Sequence, residues 1–144
     1  MKFAYSIAFS LPFFALPSLP SMAADLSLKL ELPQLNVAEY HRPYVALWLE
    51  KADQTFAGNL AIWYDMKKKD QGGTKWLKDM RQWWRKSGRE LSMPVDGVSA
   101  ATRAPGEHVL QFSGSKTPLD KLPAGDYQVV VEVVREAGGR ELLR

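Results

Sequence analysis

The sequence predicts a mainly β domain, a β-sandwich into which one amphipathic helix is inserted. Three observations point there. Several short runs either alternate apolar and polar residues or are almost wholly apolar. Turn-forming residues recur about every ten positions, the spacing of a sandwich. One stretch, between residues 74 and 88, abandons the period of two for helical spacing.

The first strand lies in "LSLKLELPQL". Leu26, Leu28, Leu30 and Leu32 share one face, Ser27, Lys29 and Glu31 the other, and Pro33 ends the run. Residues 43–50, "PYVALWLE", are more densely apolar and predict a more buried strand. "KADQT" turns the chain into a third strand at 57–64, "AGNLAIWY", and the two make a hairpin. The polar, glycine-bearing "KKKDQGG" is a loop. In "TKWLKDMRQWWRKSG", Trp76, Leu77, Met80, Trp83 and Trp84 gather on one side, and Lys75, Lys78, Asp79, Arg81, Gln82 and Arg85 on the other. That spacing predicts one amphipathic helix with Thr74 as N-cap and Gly88 at its end. Residues 94–106, "PVDGVSAATRAPG", read as a loop of small and turn-forming residues.

Strands come next at 106–114, "GEHVLQFSG", and at 126–136, "DYQVVVEVVRE". In the second, Tyr127, Val129, Val131 and Val133 make an apolar face, and Gln128, Glu132 and Glu136 mark an outward one. "AGG" turns the chain into a short last strand in "RELLR". A strand, a crossing loop and a Gly-Asp turn into the next strand are what an immunoglobulin-like sandwich needs over "HVLQFSG…KLPAGDYQVVVEV". The helix then caps an open end or lies against one sheet.

Residues 1–23 read as a cleavable secretory signal. Lys2 gives a positive start, residues 3–16 an apolar run too short and too interrupted by proline to span a bilayer, and Ser21 and Ala23 the small positions of a cleavage site. The mature chain then begins at Ala24 and forms a single domain, 24–144, with no second apolar stretch of membrane-spanning length. There is no cysteine, which excludes disulfides, thiolate metal sites and a cysteine nucleophile, and leaves stability to a packed core. The net charge is only +3 and both signs are interspersed, which does not suit a nucleic-acid partner. "KKK" at 67–69 and the later Arg81, Arg85, Lys86 and Arg89 read as solvated faces.

Side chains for autonomous chemistry are sparse. His41 and His108 lack metal-ligand spacing and a third ligand, so no metal site is expected. No nucleophile elbow, P-loop or dinucleotide fingerprint is present. The chain therefore reads as an electron-transfer or binding protein and not as a self-sufficient enzyme. Glu132 and Glu136 read as ordinary outward strand residues. Arg103, Arg135 and Arg140 can meet a phosphate, or stand as solvated charges paired with Glu136 and Glu141. Five tryptophans are a large aromatic load for one domain. Their helical stripe suits a core or a platform for a planar ring. Trp83 and Trp84 point about 100° apart, so both are buried only if the helix is wrapped on two sides.

The loop at 94–106 collects what remains. Asp96 and Gly97 favour a turn, the small residues 99–101 allow close approach to the backbone, and Thr102 carries a hydroxyl that is a poor nucleophile without activation. Such a loop suits modification by another enzyme. "DGVSAAT" resembles the flavinylation motif D-G-x-S/T-G-A-S/T of proteins that carry FMN in phosphoester linkage to Thr or Ser, such as the FMN-bearing subunits of sodium-pumping quinone reductases. Asp96, Gly97, Ser99, Ala101 and Thr102 match it, and Ala100 stands where glycine is usual.

The blocks "LNVAEYHRPYVALWLE", "KWLKDMRQWWRKSGRE", "DGVSAATRAPGEHVLQFSG" and "LPAGDYQVVVEVVREAGGRELLR" resemble a bacterial periplasmic family, domain of unknown function 2271, over nearly the whole mature chain. The two resemblances imply a periplasmic sandwich domain bearing covalent FMN at Thr102. Asp96, Gly97, Ser99, Ala101 and Arg103 would be around it, and Trp83 and Trp84 would shield the ring. Its partners would be a magnesium-dependent FAD:protein FMN transferase and a membrane flavin-reductase-like electron-transfer protein. The alternative is a non-catalytic periplasmic binding or structural domain without cofactor.

Overall fold

The computed structural model describes residues 23–144, so the signal reading for the N-terminal segment lies outside the described residues, Ala23 excepted. The described residues contain seven strands: β1 (Leu26–Leu32), β2 (Tyr44–Lys51), β3 (Phe56–Tyr64), β4 (Ser99–Ala101), β5 (Gly106–Phe112), β6 (Tyr127–Val134) and β7 (Arg140–Leu143). They form two sheets, a small one of β1 and β5 and a large one in the order β4-β3-β2-β6-β7. The domain is mainly β and sandwich-like, as its alternation predicts. All pairings are antiparallel except β3 with β4.

Alternation decides what each face of the large sheet meets. Val45, Leu47 and Leu49 of β2 and Val129, Val131 and Val133 of β6 pack with Leu26, Leu28, Leu30, Leu32 and Leu110 of the small sheet. The intervening residues Ala46, Trp48, Ile62, Tyr64 and Val130 meet a second core built with Leu77, Met80 and Trp83. The large sheet is thus covered on both sides, which explains why β2 is buried almost throughout. Two register shifts between β2 and β3 leave Leu60 and Ala57 as extra residues. The first turns Asn59 to the outer face, where its amide accepts the Trp83 indole N–H at 2.8 Å and donates to Ser87 at 2.8 Å.

The layer over that outer face departs from a single helix. Thr74–Asp79 is a 3₁₀ segment, Met80 has non-helical torsions, α1 spans only Arg81–Lys86, and Gly88–Glu90 is a further 3₁₀ turn. Thr74 is no N-cap; its hydroxyl donates to the Gln71 carbonyl at 2.7 Å. The spacing of the buried side chains gives the physical reason. Leu77, Met80 and Trp83 are three residues apart, and the tighter 3₁₀ winding with the break at Met80 keeps all three on the sheet, where a continuous α-helix would rotate them away. Gly88 allows the close return of the chain, since a Cβ there would lie 2.6 Å from the Trp83 ring.

Glu132 corrects the outward reading of β6. It is fully buried, and its carboxylate accepts the N–H groups of Gln82 at 3.2 Å and Trp83 at 2.8 Å while pairing with Arg140. A strand side chain therefore caps α1. Glu50 is likewise buried in the outer layer, with Trp48 Nε1 and Lys86 Nζ each 2.9 Å from Oε1.

Candidate functional site

The loop at 94–106 is more ordered than its composition suggests. Val95, Asp96 and Gly97 make the turn, with Gly97 at φ +73°. The Val98 and Ser99 N–H groups donate to the Val95 carbonyl, and the Val95 N–H donates to Ser99 Oγ at 2.9 Å. Ser99 thus closes the turn with its hydroxyl. Ser99–Ala101 is then β4, a short edge strand parallel to β3, with Ser99, Ala100 and Ala101 opposite Ile62, Trp63 and Tyr64. Ala100 packs against the inter-sheet core, and Asp96 and Ala101 are exposed.

Thr102 comes directly after β4 and is half-buried at a pocket of about 160 Å³. Arg42, Lys68, Trp76, Tyr44 and Asp65 line the same pocket, together with His41, Asp79 and Glu136. These residues come from separate stretches of chain. Tyr44 starts β2, Asp65 adjoins the end of β3, Lys68 is in the polar loop, and Trp76 is in the 3₁₀ segment. The 3₁₀ winding also explains Trp76. It precedes Leu77 in a three-residue repeat, so it turns aside from the sheet centre and reaches the pocket. Its indole N–H is buried and meets no acceptor among the described residues. Lys75 lies over its ring at 5.1 Å.

The pocket is charged with both signs. His41 lies 3.4 Å from Glu39 and 3.5 Å from Glu136. Asp65 accepts the Lys67 N–H at 3.2 Å. The Tyr44 hydroxyl donates to the Gly73 carbonyl at 2.9 Å; burial, reinforced by the nearby Asp65 and Glu136 charges, pushes its pKa up, so it stays a protonated donor.

The other residues singled out from the sequence lie elsewhere. The Arg103 guanidinium sits 4.2 Å from the centre of the Trp63 ring, on the inter-sheet side. Arg135 lies against Tyr40 and donates to its hydroxyl at 3.2 Å, and Arg140 is held by Glu132. Trp83 is fully buried and its N–H is taken by Asn59. Asn59 is near the middle of β3, five positions and roughly 15 Å from Tyr64, so the Trp83 indole N–H is held at mid-strand and not at the Tyr64 end beside Thr102. Trp84 is half-buried beside it, with the two rings 6.2 Å apart. Sequence reasoning passed over Trp76, Arg42 and Lys68 as pocket residues. Only the break at Met80, invisible to a helical periodicity, could have signalled Trp76.

Among the described residues no group of three or more His, Cys, Asp or Glu is placed to hold a metal ion, and no helix is long and apolar enough to cross a membrane. A family model described as a predicted periplasmic protein, DUF2271, matches residues 25–144. No curated protein matches the chain, and neither does any solved structure.

Proposed function

The chain belongs to the predicted periplasmic protein family DUF2271, and from that premise we propose that it is an exported carrier of covalent FMN, held as a phosphoester on Thr102, that relays electrons outside the cytoplasm. One observation supports the reading: Thr102, at the acceptor position of the motif, lines a pocket together with Arg42, Lys68 and Trp76, beside the acids Asp65, Asp79 and Glu136. Ser99, the other hydroxyl in the motif, is already engaged in the turn.

The residues present fit such a group in three respects. Arg42 and Lys68 supply positive charge and donors for a phosphoester. Trp76 offers an aromatic surface beside it. Exposed Asp96 and Ala101 and the edge strand β4 leave the motif open to a transferase. A pocket of about 160 Å³ is well below the roughly 300–1,000 Å³ that enclose a whole ligand. The pocket would take the phosphoester and would not enclose the isoalloxazine, which would remain reachable by an electron-transfer partner.

In the modification, the Thr102 hydroxyl oxygen attacks the FMN-side phosphorus of FAD. One P–O bond forms, the pyrophosphate bond breaks, AMP leaves, and the hydroxyl proton passes to a base of the transferase, with no change of oxidation state. Bound FMN supplies one- and two-electron redox chemistry, and the chain orients and tunes it. The partners on this reading are an FAD:protein FMN transferase and a membrane flavin-reductase-like protein.

Intact mass after periplasmic co-expression with an FMN transferase tests the reading. The expected result is an FMN adduct on the wild-type chain that is lost in Thr102→Ala. An unmodified, colourless wild type, or an adduct that survives Thr102→Ala, overturns it; the former is what a cofactor-free binding or structural domain gives.

A further inference from the structure

Thr102 is held between two fixed points. On its N-terminal side Ala101 pairs with Tyr64 in β4–β3. On its C-terminal side, Arg103 stacks on Trp63 at 4.2 Å, and His108 Nε2 meets the Ala104 carbonyl at 2.8 Å. His108 itself stands edge-on to the same Trp63, ring centres 5.7 Å apart at 74°. Trp63 is only 1 % exposed, and β3 holds it rigidly. His108 in turn is fixed by β5, opposite Leu30 of β1. One buried indole thus anchors both Arg103 and Ala104, the first through its side chain and the second, by way of His108, through its carbonyl.

We propose that Trp63, Arg103 and His108 form a clamp whose purpose is to present the Thr102 hydroxyl, with Arg103 acting as a positioning residue and not as a phosphate ligand. The inference rests on the reading of Thr102 as the FMN acceptor. Three features favour a clamp over an incidental contact. The Arg103 guanidinium spends its charge on the indole face of the inter-sheet core, while Thr102 opens onto the pocket of Arg42 and Lys68. β4 has only three residues and a single neighbouring strand, so it cannot by itself hold Thr102 and Arg103 in place. A hydroxyl that must meet a phosphorus in line gains most from being fixed before the transferase arrives, since a misplacement of about an ångström can cost roughly a hundredfold in rate.

The experiment compares wild type, Arg103→Ala and Arg103→Lys as substrates of an FMN transferase, alongside amide hydrogen exchange of each unmodified protein. In Arg103→Ala, kcat for FMN transfer is expected to fall roughly tenfold with KM for the protein little changed, the mark of lost positioning. Arg103→Lys, which keeps a cation for the ring, is expected to recover much of it. Exchange at Thr102, which adjoins the β3–β4 ladder, is expected to speed up in Arg103→Ala, with β6 unaffected. Unchanged exchange at that amide overturns the clamp whether or not FMN is transferred. Unchanged kcat, or a loss confined to KM, overturns the positioning role while leaving Thr102 as acceptor. A wild type that takes up no FMN overturns the acceptor reading instead.

Discussion

Ala100 occupies the position where the flavin motif usually has glycine, and its backbone has no use for glycine's freedom. Left-handed torsions within the motif are confined to Gly97; Ala100 lies in extended β4 opposite Trp63, with its methyl group against the inter-sheet core. The methyl also points away from the exposed side of the edge strand that a transferase would approach. Ala100→Gly is therefore expected to cost about 0.5–1 kcal/mol in stability and to leave the flavin-to-protein ratio unchanged. Urea unfolding and absorbance of the purified protein measure the two effects. A higher flavin load in the glycine variant would mean that the transferase itself reads this position.

At the level of elements, the outer layer is tied to the large sheet by two buried acids, of which Glu132 is one that the sequence pattern assigns to solvent. Glu132 on β6 caps α1 and pairs with Arg140 on β7. Glu50 on β2 joins Lys86 of α1 and, at 3.7 Å, Arg144 beyond β7. Burial by itself would raise the Glu50 pKa, but the Trp48 indole N–H, the Lys86 ammonium and the Arg144 guanidinium outweigh it and hold the carboxyl below its ordinary value of 4.5. A carboxyl lowered on folding contributes stability that is fully present above the unfolded value and is lost as pH falls through the folded one. The wild-type urea midpoint should thus drop below about pH 4.5. Glu50→Gln should be less stable at neutral pH and show a shallower drop in that acid window. Parallel acid profiles for the two proteins would remove Glu50 as the source. The alternation of β6 and the dense apolar run of β2 were legible in the sequence; that acids on the covered face tie the second layer down was not. A period of two says which residues share a face and nothing about what lies on it.

For the molecule as a whole, the strands other than β4 were readable because each rests on contiguous residues, whereas three residues inside a turn-rich loop carry no legible alternation. The pocket was not readable, because it is assembled from the start of β2, the end of β3, the polar loop, the 3₁₀ segment and the residue after β4, brought together only by packing. The tryptophans show the consequence. Helical spacing groups Trp76 with Trp83 and Trp84, whereas the 3₁₀ winding and the break at Met80 send Trp76 to the Thr102 pocket and Trp83 into the core over the middle of the large sheet. The two ends of the layer should therefore respond oppositely to substitution. Trp83→Phe leaves Asn59 Oδ1 without its donor and should cost about 1–3 kcal/mol, with no effect on the emission of attached flavin. Trp76→Phe gives up an indole N–H that has no acceptor among the described residues, so the loss in stability should be small. An indole in contact with an isoalloxazine quenches its fluorescence by electron transfer, and flavin emission should rise in Trp76→Phe. Urea unfolding together with flavin fluorescence on the FMN-loaded proteins checks both. Emission that responds to Trp83 and not to Trp76 would place the ring beside Trp83 and remove the pocket from the proposed site.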